Sequence, residues 1–192
     1  AHGSAIGFVM QYDGVEFIDA VETLAQHLGL AVQYDAGRKL ALELSDQLYP
    51  ILAEASQWFR AQLTQATDAQ QYLSQRGIDR ALQERYAVGW APGGAMQLSQ
   101  ALARDPASRE ALAKVGLTGT ARGEQSAKFF SRVMFPIRDR RGRPIAFGGR
   151  VIDQGEPKYL NSPESPLFHK GRQLYGLYEA RQANSKLSRL VV

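Results

Sequence analysis

The sequence predicts an α+β chain, with a helical N-terminal part followed by a small mixed or antiparallel sheet that carries a basic face. Three observations support this class. Apolar residues recur at helical spacing in several stretches before Val115, and the pattern turns strand-like from Phe129 onward. Across 192 residues, 44% are hydrophobic and 22% charged, enough for a packed core even with no cysteine to cross-link it.

The elements follow in order. Val15, Ile18, Val21, Leu24, Ala25 and Leu28 predict a helix over about 14–28, stopped at Gly29. Residues 31–45 lose the period and carry Gly37-Arg38-Lys39, so they read as a linker between a first segment (1–30) and the main body (46–192). Leu48, Leu52, Ala55, Phe59 and Leu63 restore the stripe and predict a longer helix over about 46–66. Thr67 and Gln70 have capping-box spacing for a short helix closed by Arg76-Gly77, and Asp79 caps the next around Leu82. Tyr86 to Trp90 reads as a short strand, and Leu98–Ala103 and Ser108–Val115 as two short helices, the last ended by Gly116. Phe130 to Ile137 and Pro144 to Ile152 are β-rich runs joined by Asp139-Arg140-Arg141-Gly142, a hairpin in which Pro136 requires an edge or a bulge. Lys158–Leu160 is a further short strand, Leu177–Asn184 a helix, and Leu190-Val191-Val192 the opening of a buried strand.

Composition excludes several function classes. No apolar run approaches the roughly 18–20 residues of a bilayer span, and Ala1-His2-Gly3-Ser4 does not open a secretory signal, so a cytoplasmic home is expected. Zero cysteines remove thiolate zinc sites and cysteine nucleophiles, and His2, His27 and His169 are scattered. Phosphate-loop, His-Glu-x-x-His and Gly-x-Ser-x-Gly signatures are absent. In the last third Asp139, Asp153, Glu156, Glu164 and Glu179 stand apart, so no carboxylate cluster for magnesium is expected.

The charge is segregated. Residues 125–192 hold 13 Lys and Arg against 5 Asp and Glu, a balance of +8 in a chain whose total is +4. Such a surface suits a polyanion, or else is simply solvated. Its cations are interleaved with glycine and aromatics. In Phe147-Gly148-Gly149-Arg150 the glycines either let a phosphate approach the strand or mark a bulge or tight packing. Lys158, Tyr159, Asn161, Phe168, His169, Lys170 and Arg172 supply the cations, amide and rings of a phosphate-contacting and base-stacking surface, with Tyr159 and Phe168 equally readable as core. His169 reads as a general base or as one more donor.

Four blocks go further: Arg132-Val-Met-Phe-Pro-Ile-Arg-Asp-Arg-Arg-Gly-Arg, Ile145-Ala-Phe-Gly-Gly-Arg-Val, Pro157-Lys-Tyr-Leu-Asn-Ser-Pro-Glu and Phe168-His-Lys-Gly-Arg-Gln-Leu-Tyr-Gly-Leu. Together they closely resemble bacterial replicative DNA primase of the DnaG type. His2 to Phe8, Phe17 to Ala25 and Tyr72 to Ile78 extend the resemblance over essentially the whole chain. It implies the N-terminal subdomain of a Toprim-type catalytic core, one wall of the cleft of a DNA-dependent RNA polymerase that makes short primers on single-stranded template. Implied partners are template DNA, nucleoside triphosphates and the RNA–DNA hybrid, with the replicative helicase and single-stranded-DNA-binding protein reached through other parts. Implied cofactors are Mg²⁺, held by acids expected beyond Val192, and Zn²⁺, held by an upstream module. The 192 residues alone are therefore expected to make no primers and to hold no metal. By position the implied DNA- and nucleotide-binding residues are Arg76, Arg150, Lys158 and Lys170, with Asn161 and Arg172 as neighbours. The alternatives are a single-strand-binding module with no enzymatic role and a basic domain that docks an acidic protein.

Overall fold

Leu48, Leu52, Ala55, Phe59 and Leu63 are all buried along one stripe, and the longest helix of the chain runs through them. The structure is a computed structural model that describes residues 3–184 apart from 14, 16, 35, 95, 122, 123 and 154. His2 and the strand expected at Leu190-Val191-Val192 lie outside the described residues. The chain divides into two compact units, Ala1–Leu42 and Glu43–Val192.

The first unit holds α1 (Ala5–Asp13) and α2 (Phe17–His27). Helix α2 is the one expected from the apolar stripe, starting three residues later; α1 was not expected, since Ala5 to Tyr12 has no polar face to set a period. The Phe8 and Tyr12 rings stack at 5.5 Å, and the Tyr34 hydroxyl donates to Glu22 Oε1 at 2.7 Å.

Helix α3 (Ala36–Gln65) starts ten residues before the expected place, so residues 36–45 are helical where no regular element was expected. Gly37 costs a helix about 1 kcal/mol, but the following Lys39 to Leu44 run of Lys, Leu, Ala and Glu offsets it with strong helix formers. The helix also continues through Pro50. Next come α4 (Thr67–Gln75) and α5 (Arg80–Arg85). Asp79 caps α5 as expected, accepting from Leu82 N at 2.8 Å. The box at Thr67 does not form: Ala66 occupies the cap position, and Gln70 instead donates to the Leu63 and Thr64 carbonyls that end α3.

Strand β1 (Gly89–Ala91) precedes α6 (Gln97–Leu102) and α7 (Pro106–Lys114), the latter opened by a capping box between Asp105 and Ser108. A two-stranded hairpin of β2 (Thr118–Ala121) and β3 (Glu124–Ala127) was not expected, because its polar residues show no apolar alternation. Then follow β4 (Arg132–Arg138), β5 (Pro144–Val151), β6 (Tyr159–Asn161) and α8 (Leu177–Ala183). The main sheet has the order β1-β4-β5-β6, antiparallel throughout.

Alternation gives this sheet two different faces. Met134, Phe147 and Leu160 pack with Leu52, Phe59, Leu98 and Leu112, and Phe147 meets Phe59 edge-on at 5.3 Å. Each such phenylalanine contributes roughly 2–3 kcal/mol of burial. Gly89 brings β1 onto the backbone of α3, where a Cβ would fall 2.7 Å from the Phe59 carbonyl carbon. The opposite face carries Val133, buried against Leu63, Leu73 and Val88, then Phe135, Gly148 and Arg150. Pro136 satisfies both expectations: β1 pairs only as far as Met134, and the register shifts at Ile137 and Arg138.

Candidate nucleic-acid interface

Arg150 leaves β5 on the face opposite the α3 core, level with Val133 of β4 and Tyr159 of β6. Its Nη1 donates to the Tyr159 hydroxyl, and its Nε is buried with no hydrogen-bond partner. The guanidinium carbon lies 5.0 Å from the Tyr159 ring centroid and 5.6 Å from that of Tyr72 on α4. Arg76, the residue that closes α4, lies 5.3 Å from the same Tyr72 ring, and Lys158 Nζ 6.0 Å from the Tyr159 ring. The α4 register sets this up: Ala69 and Leu73 are buried, which leaves Tyr72 and Arg76 one turn apart on the rim.

Two cavities flank Arg150. One, of about 600 Å³, is lined by Tyr72, Arg76, Arg150 and Lys158 together with Asp153 and Glu156. The other, of about 530 Å³, has Phe135 and Gly148 in its floor and Arg150, Tyr159, Asn161 and Lys170 among its walls. Four of the six residues expected from the sequence, Arg76, Lys158, Asn161 and Lys170, thus line the cavities that flank a fifth, Arg150. Arg172, on the exposed 3₁₀ turn Lys170–Arg172, lines neither cavity. Among the described residues no carboxylate closes an ion pair with Arg76, Arg150, Lys158 or Lys170.

The open alternatives resolve residue by residue. Gly148 and Gly149 are not a bulge, since both keep regular register with β4 and β6. A Cβ on Gly149 would lie 2.9 Å from Phe129, 3.1 Å from Arg132 and 3.3 Å from Met134, so that glycine serves packing, whereas Gly148 opens the floor of the second cavity beside Asn161. Phe168 is core, at 3% exposure. Tyr159 is not, at 61%. His169 Nδ1 sits 3.0 Å from Glu164 Oε2, and Glu164 Oε1 accepts the Lys170 amide at 2.9 Å. That amide, with the His169 ring beside it, holds the Glu164 carboxyl below the usual carboxylate range.

Three contributors escaped the sequence reading. Tyr72 figures there only within the block Tyr72 to Ile78, with no role assigned, although it lies against two guanidiniums. Arg132 is 4% exposed, and its Nη1 donates to the Pro157 carbonyl at 2.7 Å, directly before Lys158. Burial pulls its pKa down and Glu156 partly offsets this. Tyr175 lines the second cavity, edge-on to Phe135 at 6.5 Å. Burial, then Glu179 and Tyr86, push its hydroxyl up to about 12, so it stays neutral near pH 7. The i,i+4 spacing of Tyr72 and Arg76 is a local signal, whereas the Arg150 partner of Tyr72, the Pro157 partner of Arg132 and the Phe135 partner of Tyr175 lie far away in the chain.

Among the described residues no group of three or more His, Asp or Glu side chains gathers. No helix among the described residues is long and apolar enough to cross a membrane.

Comparison with known proteins agrees with this architecture. DNA primase of Escherichia coli strain K12 is 44% identical over 198 residues, a match covering all of this chain and 34% of that protein. The chain therefore spans about a third of the length of the curated relatives it matches. Among solved structures, a DnaG primase catalytic domain bound to single-stranded DNA superposes with a TM-score of 0.75 at 44% identity, covering 78% of this chain and 47% of that one. The Aquifex aeolicus primase, comprising zinc-binding and RNA polymerase domains, gives 0.67 at 33% identity, over 94% of this chain and 44% of that one. The family model for the N-terminal domain of the DNA primase catalytic core matches residues 58–181. That span runs from the second half of α3 into α8 and includes every element that borders the Arg150 cavities, so the chain belongs to the family of DNA primase catalytic core N-terminal domains.

Proposed function

We propose that this chain is the template-binding wall of a DNA primase cleft, with Arg76, Arg150, Lys158, Asn161 and Lys170 contacting the phosphates of single-stranded template and of incoming nucleoside triphosphates. The observation that carries the reading is the convergence on Arg150. One guanidinium borders two cavities, three further cations line them, and none of the four is spent on a carboxylate among the described residues. Guanidinium and ammonium groups suit phosphate oxygens, and Tyr159 adds an exposed ring on which a base can stack.

The parent activity under this reading is template-directed synthesis of short RNA primers, a nucleotidyl transfer assisted by divalent metal. Under this reading the chain's own share is to bind the strand, align it and neutralise phosphate charge, and no group of three or more His, Asp or Glu gathers among the described residues. A tenfold or greater loss of affinity for labelled single-stranded oligonucleotides is expected for Arg150→Met at low salt, by fluorescence anisotropy with the full chain, and equally so for unrelated sequences. An Arg150→Met chain that folds and binds like the parent would remove the basis of the proposal.

A further inference from the structure

Five side chains from three separate elements alternate in charge and ring: Arg76, Tyr72, Arg150, Tyr159, Lys158. Successive cation-to-centroid distances are 5.3, 5.6, 5.0 and 6.0 Å, all within the range in which a cation is drawn to the negative face of a ring. Tyr72 joins the helix to the sheet in this series, since its one ring serves both Arg76 of its own helix and Arg150 of β5.

Two properties give that ring more than a packing role. Arg76 and Arg150 carry like charges, and neither has a carboxylate partner among the described residues, although Asp153 and Glu156 line the same cavity. A guanidinium freed from the ring has those two carboxylates within the cavity to collapse upon, and a neutralised arginine no longer attracts phosphate. Arg150 is also sparsely tethered: its buried Nε is unpartnered, and its one hydrogen bond runs to the Tyr159 hydroxyl. The Tyr72 and Tyr159 rings are its remaining anchors. Packing alone does not require an aromatic at 72, because Ala69 and Leu73 carry the burial of α4 while Tyr72 is half-buried at the edge of the Leu63, Val88 and Val133 cluster.

We propose that Tyr72 is a positioning residue for phosphate binding: its ring holds Arg76 and Arg150 apart from each other and away from Asp153 and Glu156, so that both stay unpaired and available. The proposal rests on the template-binding reading above. It assigns the effect to the ring's electron density and not to its hydroxyl or its volume.

The test compares Tyr72→Phe, Tyr72→Leu and Tyr72→pentafluorophenylalanine in the full chain, reading anisotropy with a labelled single-stranded oligonucleotide and thermal unfolding in parallel. Fluorination keeps the size of the ring and reverses its quadrupole. Tyr72→Phe should bind like the parent, while the leucine and pentafluoro variants should bind about five- to tenfold more weakly. The parent, phenylalanine and pentafluoro proteins should melt within a few degrees of one another. A pentafluoro variant that binds as tightly as the phenylalanine variant overturns the proposal, as does a phenylalanine variant as weak as the leucine one. Should the leucine variant fail to fold, the phenylalanine and pentafluoro pair still decides. A parent that binds no single-stranded DNA overturns the template-binding reading and this proposal together. A parent whose affinity falls with Arg150→Met but ignores the ring at 72 overturns the role of Tyr72 alone.

Discussion

Arg132 shapes the basic face from behind it. The side chain is almost wholly buried beside Gly149 and Phe129, yet it makes one hydrogen bond, to the Pro157 carbonyl, and leaves its Nε unpartnered. A buried charge compensated by one hydrogen bond and, in part, by Glu156 is a net cost to folding, and an apolar side chain of similar size is often neutral or stabilising in its place. Its return is the fixed carbonyl next to Lys158. Arg132→Met is therefore expected to keep or raise the unfolding free energy while weakening single-strand binding roughly threefold, because residues 155–158 lose their tether. Urea unfolding and anisotropy on one preparation check this, and a variant that loses stability and affinity together would contradict it. The same residue marks what a sequence can disclose. Arg150, Lys158, Asn161 and Lys170 could be picked out because glycine and aromatic neighbours surround them within a few positions. Arg132 could not, since Pro157 lies 25 residues away, and of the two cations on Tyr72 only Arg76, one helical turn on, is a local neighbour, Arg150 lying 78 residues away.

Helix α8 depends on a buried ion pair. Glu179 and Arg138 meet at 3.2 Å with side-chain exposures of 4% and 16%, and the Arg138 guanidinium lies 5.5 Å from the Tyr178 ring centroid. Removing one member leaves the other charge uncompensated in a dry site, which costs about 3–5 kcal/mol. The solvent-exposed pair of Arg80 and Glu84 on α5, at 91% and 60%, is worth under about 0.5 kcal/mol by the same physics. Glu179→Ala should accordingly lower the urea midpoint strongly, Glu84→Ala should scarcely move it, and Arg138→Met with Glu179→Leu should recover most of the loss. Equal effects of Glu179→Ala and Glu84→Ala would contradict this account. At this scale the sequence was informative wherever one face of an element is apolar: α2, the β4–β5 hairpin, α8 and the C-terminal end of α3 all lie within a few residues of the expected places. It was silent for β2 and β3, whose pairing is held by backbone bonds among polar residues, and misleading at Gly37, where strong helix formers on the C-terminal side overcome one glycine.

Over the whole chain, the +8 balance of residues 125–192 overstates the surface available to a polyanion. Arg132 is buried, Arg138 is held by Glu179, and Arg143 is held by Asp139 at 2.8 Å with its guanidinium 3.7 Å from the Tyr49 ring centroid. The cations left around the two cavities are Arg150, Lys158 and Lys170, joined by Arg76 from outside the basic third. Composition therefore points to the class of partner proposed, while convergence in space picks out the charges the proposal assigns to it. Salt dependence separates the two ideas, because each phosphate neutralised on a single strand contributes about −0.7 to the slope of log affinity against log salt. Four contacts give a slope of roughly −2 to −3, whereas participation by every basic residue of 125–192 would make it several times steeper. Lys158→Ala and Lys170→Ala should each reduce the magnitude by about 0.7 and weaken all sequences alike. Arg143→Gln, from within the basic third, and Arg104→Ala, whose guanidinium is paired with Glu54 at 3.2 Å, should leave the slope unchanged. A titration across potassium chloride concentrations decides the matter: if Arg143→Gln flattens the slope as much as Lys158→Ala, the charge acts as a diffuse field and not as the converged set around Arg150.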